Sequence, residues 1–272
     1  LGAGAARDGE SHELDPSDYE IEYHLAAVLY SMRRYSEIEE ALRKNRPVSR
    51  MDANWEHLLV AECKLATGDL AAARAYLARV PPDFSPTAEI PWTRFQMALC
   101  LRDYDAAEHE IAATSPQWLG EVFTGNPPQT WDNGMLARLR GDEAKARAIF
   151  TVAREWTTTA WEEEMRDYVH FGLLSRCDAA LGRKEDAIRE ARHVCKEWPL
   201  SRNPSVAKTY MQNLALVYAL TGERAQAIDE LEILAKMDDT VTFGDLHYSP
   251  YWDALRGDPR FEAIVASLAP KP

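Results

Sequence analysis

The glycine of "LGRKEDAI" (181–188), set among charged residues, raises the chemistry of a phosphate cradle. The spacing does not support it. The chain has no GxxxxGK[ST] and no GxGxxG, so no run of backbone amides is arranged to wrap a phosphate. The seven histidines (His12, His24, His57, His109, His170, His193, His247) are scattered and form no HExxH. His193 and Cys195 are two residues apart, which on a helix turns them away from each other. General acid–base work needs paired carboxylates in a closed pocket, whereas "WEEEMRD" (161–167) reads as a solvated helix face. No serine stands in GxSxG. The expectation is therefore no catalytic residue, no metal and no cofactor.

Bulk properties narrow the partners. The 272 residues carry 44 acidic and 31 basic side chains, a formal charge of −13 that repels nucleic acid unless a local basic patch overrides it. The densest basic stretches, "RKNR" (43–46) and "SRNP" (201–204), read as helix ends, where cations are favoured. Cys63, Cys100, Cys177 and Cys195 are far apart with no CxxC. They read as free, buried thiols, which leans toward a reducing compartment without requiring one. No run of 18 apolar residues is present, so no membrane insertion is expected of these residues. The chain opens at Leu1 on a soft stretch, read as a flexible segment (1–14). That start leaves room for an upstream domain or membrane anchor.

The elements that would position any site come from an internal repeat. Aligned after each helix-breaking bend, "RRYSEIEEAL", "GDLAAARAYL", "RDYDAAEHEI", "GDEAKARAIF", "GRKEDAIREA" and "GERAQAIDEL" begin at residues 33, 68, 102, 141, 182 and 222. Five places on stand Ile38, Ala73, Ala107, Ala146, Ala187 and Ala227. Four further on stand Leu42, Leu77, Ile111, Phe150, Ala191 and Leu231. That spacing is one face of a helix. The segments before each bend are also helical in pattern, so each unit reads as helix, tight turn, helix. First helices are expected near 19–32, 53–67, 88–101, 128–140, 161–181 and 205–221. Second helices are expected near 35–44, 69–79, 103–113, 142–156, 184–197 and 223–236. Gly68, Gly141, Gly182 and Gly222 are expected to make the turns, and Ala73, Ala146, Ala187 and Ala227 to let the paired helices close. "AATSPQWLGEVFTGNPPQT" (112–130) is the largest irregular insert. After a second one, "LRGDPRFEAIVASLAP" reads as a closing helix capped by Asp258, with Pro259 at its first position.

These units resemble tetratricopeptide repeats. The sixth carries the likeness best, in Met211, Leu214, Ala215, Tyr218, Gly222, Ala227, Leu231 and Leu234. The fifth shares it in Phe171, Leu174, Ser175, Gly182, Ala187, Ala191 and Pro199. The resemblance spans residues 15–236. It implies an all-α, right-handed superhelical solenoid of six helix pairs, with 237–272 a loop and capping helix of the same domain. It also implies a non-catalytic protein-binding or scaffolding role, of the kind found at the C-terminal end of bacterial multidomain regulatory or signalling proteins. Pro91, Arg94, Thr130 and Asn133 depart from the family pattern.

In that family a peptide or protein partner lies in a concave groove lined by the first helices. Tyr23, Ala27, Leu59, Glu89 and Thr93 fall at groove positions, and none is a carboxylate-clamp residue. Trp92, Trp118, Trp131, Trp156 and Trp161 crowd the irregular middle. They read either as filling between imperfectly matched helices or as partner anchors. The expected partner-binding set is Tyr23, Trp92, Arg94, Trp118, Trp131 and Asn213. The alternative is a ligand- or signal-sensing domain with a small-molecule pocket near the 112–130 insert.

Overall fold

The computed structural model describes residues 19–44, 50–81, 89–113, 128–159 and 168–270. Among these, every regular element is a helix, and the helices pack in pairs. The pairs are α1 (Tyr19–Ser31) with α2 (Tyr35–Lys44), α3 (Arg50–Thr67) with α4 (Leu70–Leu77), and α5 (Glu89–Cys100) with α6 (Tyr104–Ala113). Then come α7 (Pro128–Leu139) with α8 (Glu143–Thr159), α9 (Tyr168–Ala180) with α10 (Lys184–Glu197), and α11 (Pro204–Leu220) with α12 (Arg224–Leu234). A short helix α13 (Phe243–Tyr248), a 3-10 turn (Pro250–Leu255) and α14 (Pro259–Leu268) complete the chain. The expected helix over 161–181 is seen from Tyr168; the flexible segment 1–14, Trp118 and Trp161 lie outside the described residues.

All six first helices end in the same hydrogen-bonded turn. In the fifth pair the Gly182 N–H donates to Ala179 O at 3.1 Å and the Arg183 N–H to Asp178 O at 2.8 Å. This crossed pair is the Schellman closure, and it needs a left-handed residue at its centre. Gly182 supplies that with φ 81°, where a β-carbon would be strained. The next residue often starts the following helix. Asp69, Asp103 and Asp142 each accept from the N–H three residues on, so a single side chain joins the end of one helix to the start of the next.

The reversal brings two helices together along small residues. Ala73, Ala107, Ala146, Ala187 and Ala227 have no exposed surface, and neither does Ile38 of the first pair. Leu42, Leu77, Ile111, Phe150, Ala191 and Leu231, one turn further along, are buried as well. The largest core cluster runs from Trp131 and Phe150 through α9–α12 into Leu246, Trp252, Leu255 and Phe261. Helix α14 starts on Asp258, whose carboxylate accepts from the Arg260 N–H at 2.9 Å. It buries Phe261, Ile264 and Val265, and it packs on α12 and α13.

Ala187 tests how tightly this seam is set. Ala187→Leu adds three carbons where none fit, so the urea midpoint should fall by the equivalent of about 1–3 kcal/mol with an unchanged slope. A midpoint equal to the parent's would show that the pair has slack.

Candidate functional site

Two turns depart from glycine. Arg33 and Arg102 take φ 56° and 59° at the place where the other four pairs use glycine. A side chain in that region costs on the order of 1–2 kcal/mol, so each arginine needs a compensating role. The structure shows one for each. The Arg33 guanidinium donates to Ala235 O at 2.9 Å, to Thr240 Oγ1 at 2.9 Å and to Val241 O at 3.0 Å, some two hundred residues away. Arg102 donates to Asp253 at 2.8 Å.

Both arginines therefore grip the segment that follows α12. Residues 235–255 lie along the ends of the first helices, and the Asp239 N–H donates to Ser31 O at 2.7 Å. Gly244 sits against the Leu65 carbonyl with no room for a β-carbon, and Phe243 lies over Gly68. Helix α13 packs on α3 and α5, while the 3-10 turn packs on α11 and α12. The Tyr251 hydroxyl donates to Asp132 Oδ1 on α7 at 3.0 Å, and Trp252 Nε1 donates to Asp245 Oδ2 at 3.2 Å. Val241, Leu246, Trp252 and Leu255 are buried along this line. The first-helix row thus holds a length of polypeptide, and that polypeptide is the chain's own.

Asp132 and Asp245 differ from Asp253 in taking their hydrogen bonds from neutral groups. Burial pushes Asp132 up to about 7, against the opposing pull of the Tyr251 hydroxyl and the Arg176 charge. Burial likewise raises Asp245 to about 6, opposed by Trp252 and Arg256. Among the described residues no group of three or more His, Cys, Asp and Glu side chains is placed to hold a metal ion.

The expected partner-binding residues do not converge on one groove. Trp131 is only 2% exposed. Its ring lies 5.3 Å from that of Phe150, under the Arg176 guanidinium at 5.4 Å. This corrects its assignment as an anchor: the ring fills the space between α7, α8 and α9. Trp92 is half-buried, 5.4 Å from Phe95. The Asn213 amide is also engaged, donating to Ser175 Oγ at 3.0 Å across α9 and α11. The side chain of Tyr23 and all of Trp118 lie outside what is described. Arg94 does line an opening. It donates to Val80 O at 2.8 Å and borders a cleft of about 330 Å³ with Arg74, Met97, Leu101 and Glu110, among α4, α5 and α6. Leu101 is 42% exposed there, and burial raises the Glu110 carboxyl against the pull of Arg94.

No protein-family model matches this chain, and no curated protein matches it. The likeness to tetratricopeptide repeats accordingly rests on the repeating residues themselves. Sequence reasoning passed over Arg33, Arg102 and Gly244. Their signal was a long cation at a position where the other units have glycine, and a glycine inside an aromatic stretch.

Two experiments follow. Arg33→Gly relaxes the turn yet removes three hydrogen bonds, so amide exchange in 239–248 should speed up at least tenfold while α10–α12 stay protected. Unchanged protection would show that the arginine does not hold the segment. The second concerns Asp132, whose carboxyl binds its proton more tightly in the fold than in the open chain. Its contribution is complete below about pH 4 and is lost as pH rises through about 7. At about 1.4 kcal/mol per unit, the ionised form costs the fold on the order of 4 kcal/mol. Asp132→Asn should therefore flatten the stability profile between pH 5 and 8 and unfold later than the parent at pH 8. A variant less stable than the parent at pH 8 would mean that the carboxylate is ionised and well held.

Proposed function

We propose that the chain is a non-catalytic interaction or scaffolding module, a right-handed superhelix of tetratricopeptide-like pairs, serving a larger regulatory or signalling protein. One observation carries the reading: the first-helix ends grip polypeptide by its main chain, through Arg33 on two carbonyls and Ser31 on an N–H. Main-chain gripping is how a surface accepts peptide without reading every side chain.

Because the segment 235–255 fills that part of the row, the partner is assigned to the open surface beside it. The cleft at Arg94 has the composition for this, with an apolar floor in Met97 and Leu101 and opposite charges in Arg74 and Glu110. Arginine with apolar neighbours is the usual make-up of an energetic centre in an interface. A peptide or protein partner fits it, and nucleic acid does not, given the charge of −13. The second reading, sensing of a small molecule, draws on the same cleft. It is of small-ligand size, and α6, which carries Glu110, leads into the 112–130 insert.

The test is partner capture by the whole chain, with captured protein then cross-linked to locate its footprint. Arg94→Ala and Leu101→Asp should each weaken capture about tenfold or more, and cross-links should map to α4–α6. Full capture by both variants, with the footprint on α10–α12, would sink this placement. Retained capture together with loss of small-molecule thermal stabilisation in Arg94→Ala would favour sensing.

A further inference from the structure

The turn between α9 and α10 contains a second set of buried charges that the clasp does not use. Asp178, at the end of α9, has no exposed surface. One of its oxygens, Oδ1, takes Arg154 Nε from α8 at 2.5 Å and Arg183 Nε from the turn at 2.9 Å. Its other oxygen, Oδ2, is buried with no donor, and so is Oε2 of Glu190 on α10. The side chain of Glu190 is only 13% exposed. A buried carboxylate oxygen without a donor is costly, and two of them at one turn ask for a common explanation.

The nearby cations do not provide it. Arg183 also donates to Asp186 at 2.7 Å, and Arg189 Nη1 lies 2.6 Å from the same carboxylate. Arg189 reaches Glu190 only at 3.6 Å, on Oε1. Asp186 draws the guanidinium groups outward, while Arg154 and Arg183 converge on the far oxygen of Asp178. What remains beside Glu190 is Asp178 itself, the carboxylate whose charge acts most strongly on it.

We propose that Asp178 and Glu190 share one proton, carried by Glu190 and donated to Asp178 Oδ2, and that this makes the seam between α9 and α10, within the fifth helix pair, sensitive to pH. The proton belongs on Glu190 because Asp178 already accepts from two guanidinium groups. Once the proton leaves, two buried anionic oxygens face each other with no donor between them. Glu190 then swings outward, and the turn of α10 bearing Ala191 loosens from α9. Burial and the Asp178 charge push Glu190 up to about 7, against the opposing pull of Arg189. A carboxyl raised in this way holds the joint fully below about pH 4.5 and lets go as pH rises through about 7. Asp178 on α9, Arg154 on α8, Arg183 in the turn, and Asp186 and Arg189 on α10 are the charged groups that face it.

The test uses the whole chain and two readouts. Carboxyl carbon NMR, with the Glu190 signal assigned by its absence in Glu190→Gln, should give a midpoint near 7; a midpoint below 5 overturns the proposal. Amide exchange, corrected for its intrinsic pH dependence, should show α10 losing protection several-fold between pH 5.5 and 8. Glu190→Gln carries a permanent N–H donor toward Asp178, so it should keep its low-pH protection at pH 8. A variant that loses protection in step with the parent, or a parent with no pH response in α10, overturns it. Asp132→Asn should leave the α10 response intact, which separates this joint from the clasp at 235–255. Should Glu190→Gln not fold, selective glutamate labelling of the parent still decides by whether any glutamate titrates near 7.

Discussion

A helix that must reverse within two residues has to place one of them in the left-handed region, and this constraint organises the whole chain. The Schellman closure recurs at the end of all six first helices. It sets the angle at which each second helix returns and therefore which residue meets the partner helix five positions later. An alanine with no exposed surface occupies that position in five pairs and Ile38 in the first. Where glycine makes the turn, the closure is unstrained. Where arginine makes it, at Arg33 and Arg102, backbone strain is accepted and a long cation is delivered to the edge of the array. Both cations reach the same segment, so the strained turns and the C-terminal clasp form one system.

That system changes the mechanics expected of stacked helix pairs. In a linear array each unit touches only its neighbours, and the ends open most easily. Here Arg33, beside the first pair, is hydrogen-bonded to Ala235, just past the last one. The segment between α12 and α14 is too well buried to behave as a lid. Val241, Leu246 and Leu255 contribute about 1.5–3 kcal/mol each when buried, and Trp252 adds to that. Against this, ionised Asp132 costs on the order of 4 kcal/mol, so raising the pH weakens the clasp without releasing it.

The local half of this architecture was legible in the sequence because it is local. Helix, turn and buried alanine lie within about ten residues of one another, and their spacing survives replacement of glycine by arginine. The clasp was not legible, since no periodicity links Arg33 to Val241 or Tyr251 to Asp132. Gly244 gave no hint that it faces the Leu65 carbonyl, because close approach by a distant backbone leaves no pattern around the glycine. The aromatic residues divide for the same reason. Trp131 belongs to the core because Phe150 of the paired helix and Arg176 of the next one enclose it, and only the packed arrangement specifies that. Asn213 looked like a groove residue until Ser175, itself a small packing residue, supplied an acceptor for its amide.

Two buried aspartates, Asp178 and Asp132, and the partly buried Asp245 show how one chemical problem is solved differently according to what each place has to do. Asp178 accepts from two arginines, which ties α8, α9 and the following turn together. Asp132 and Asp245 are served by a phenol and an indole, donors that satisfy the oxygen without cancelling a charge. A cation at either place would hold the clasp more evenly across pH, and the side chains to supply it stand close by in Arg176 and Arg256. These instead lie over Trp131 and on the carbonyls of Leu246 and Ser249. Asp253 alone on the segment is met by arginines, Arg102 and Arg256, whereas Arg33 and Arg176 serve main chain and a ring and Asp132 and Asp245 are left to neutral donors. An array built in this way holds its own segment chiefly by backbone recognition and apolar burial. Arg94 and Glu110 stand away from that segment, at the cleft among α4, α5 and α6.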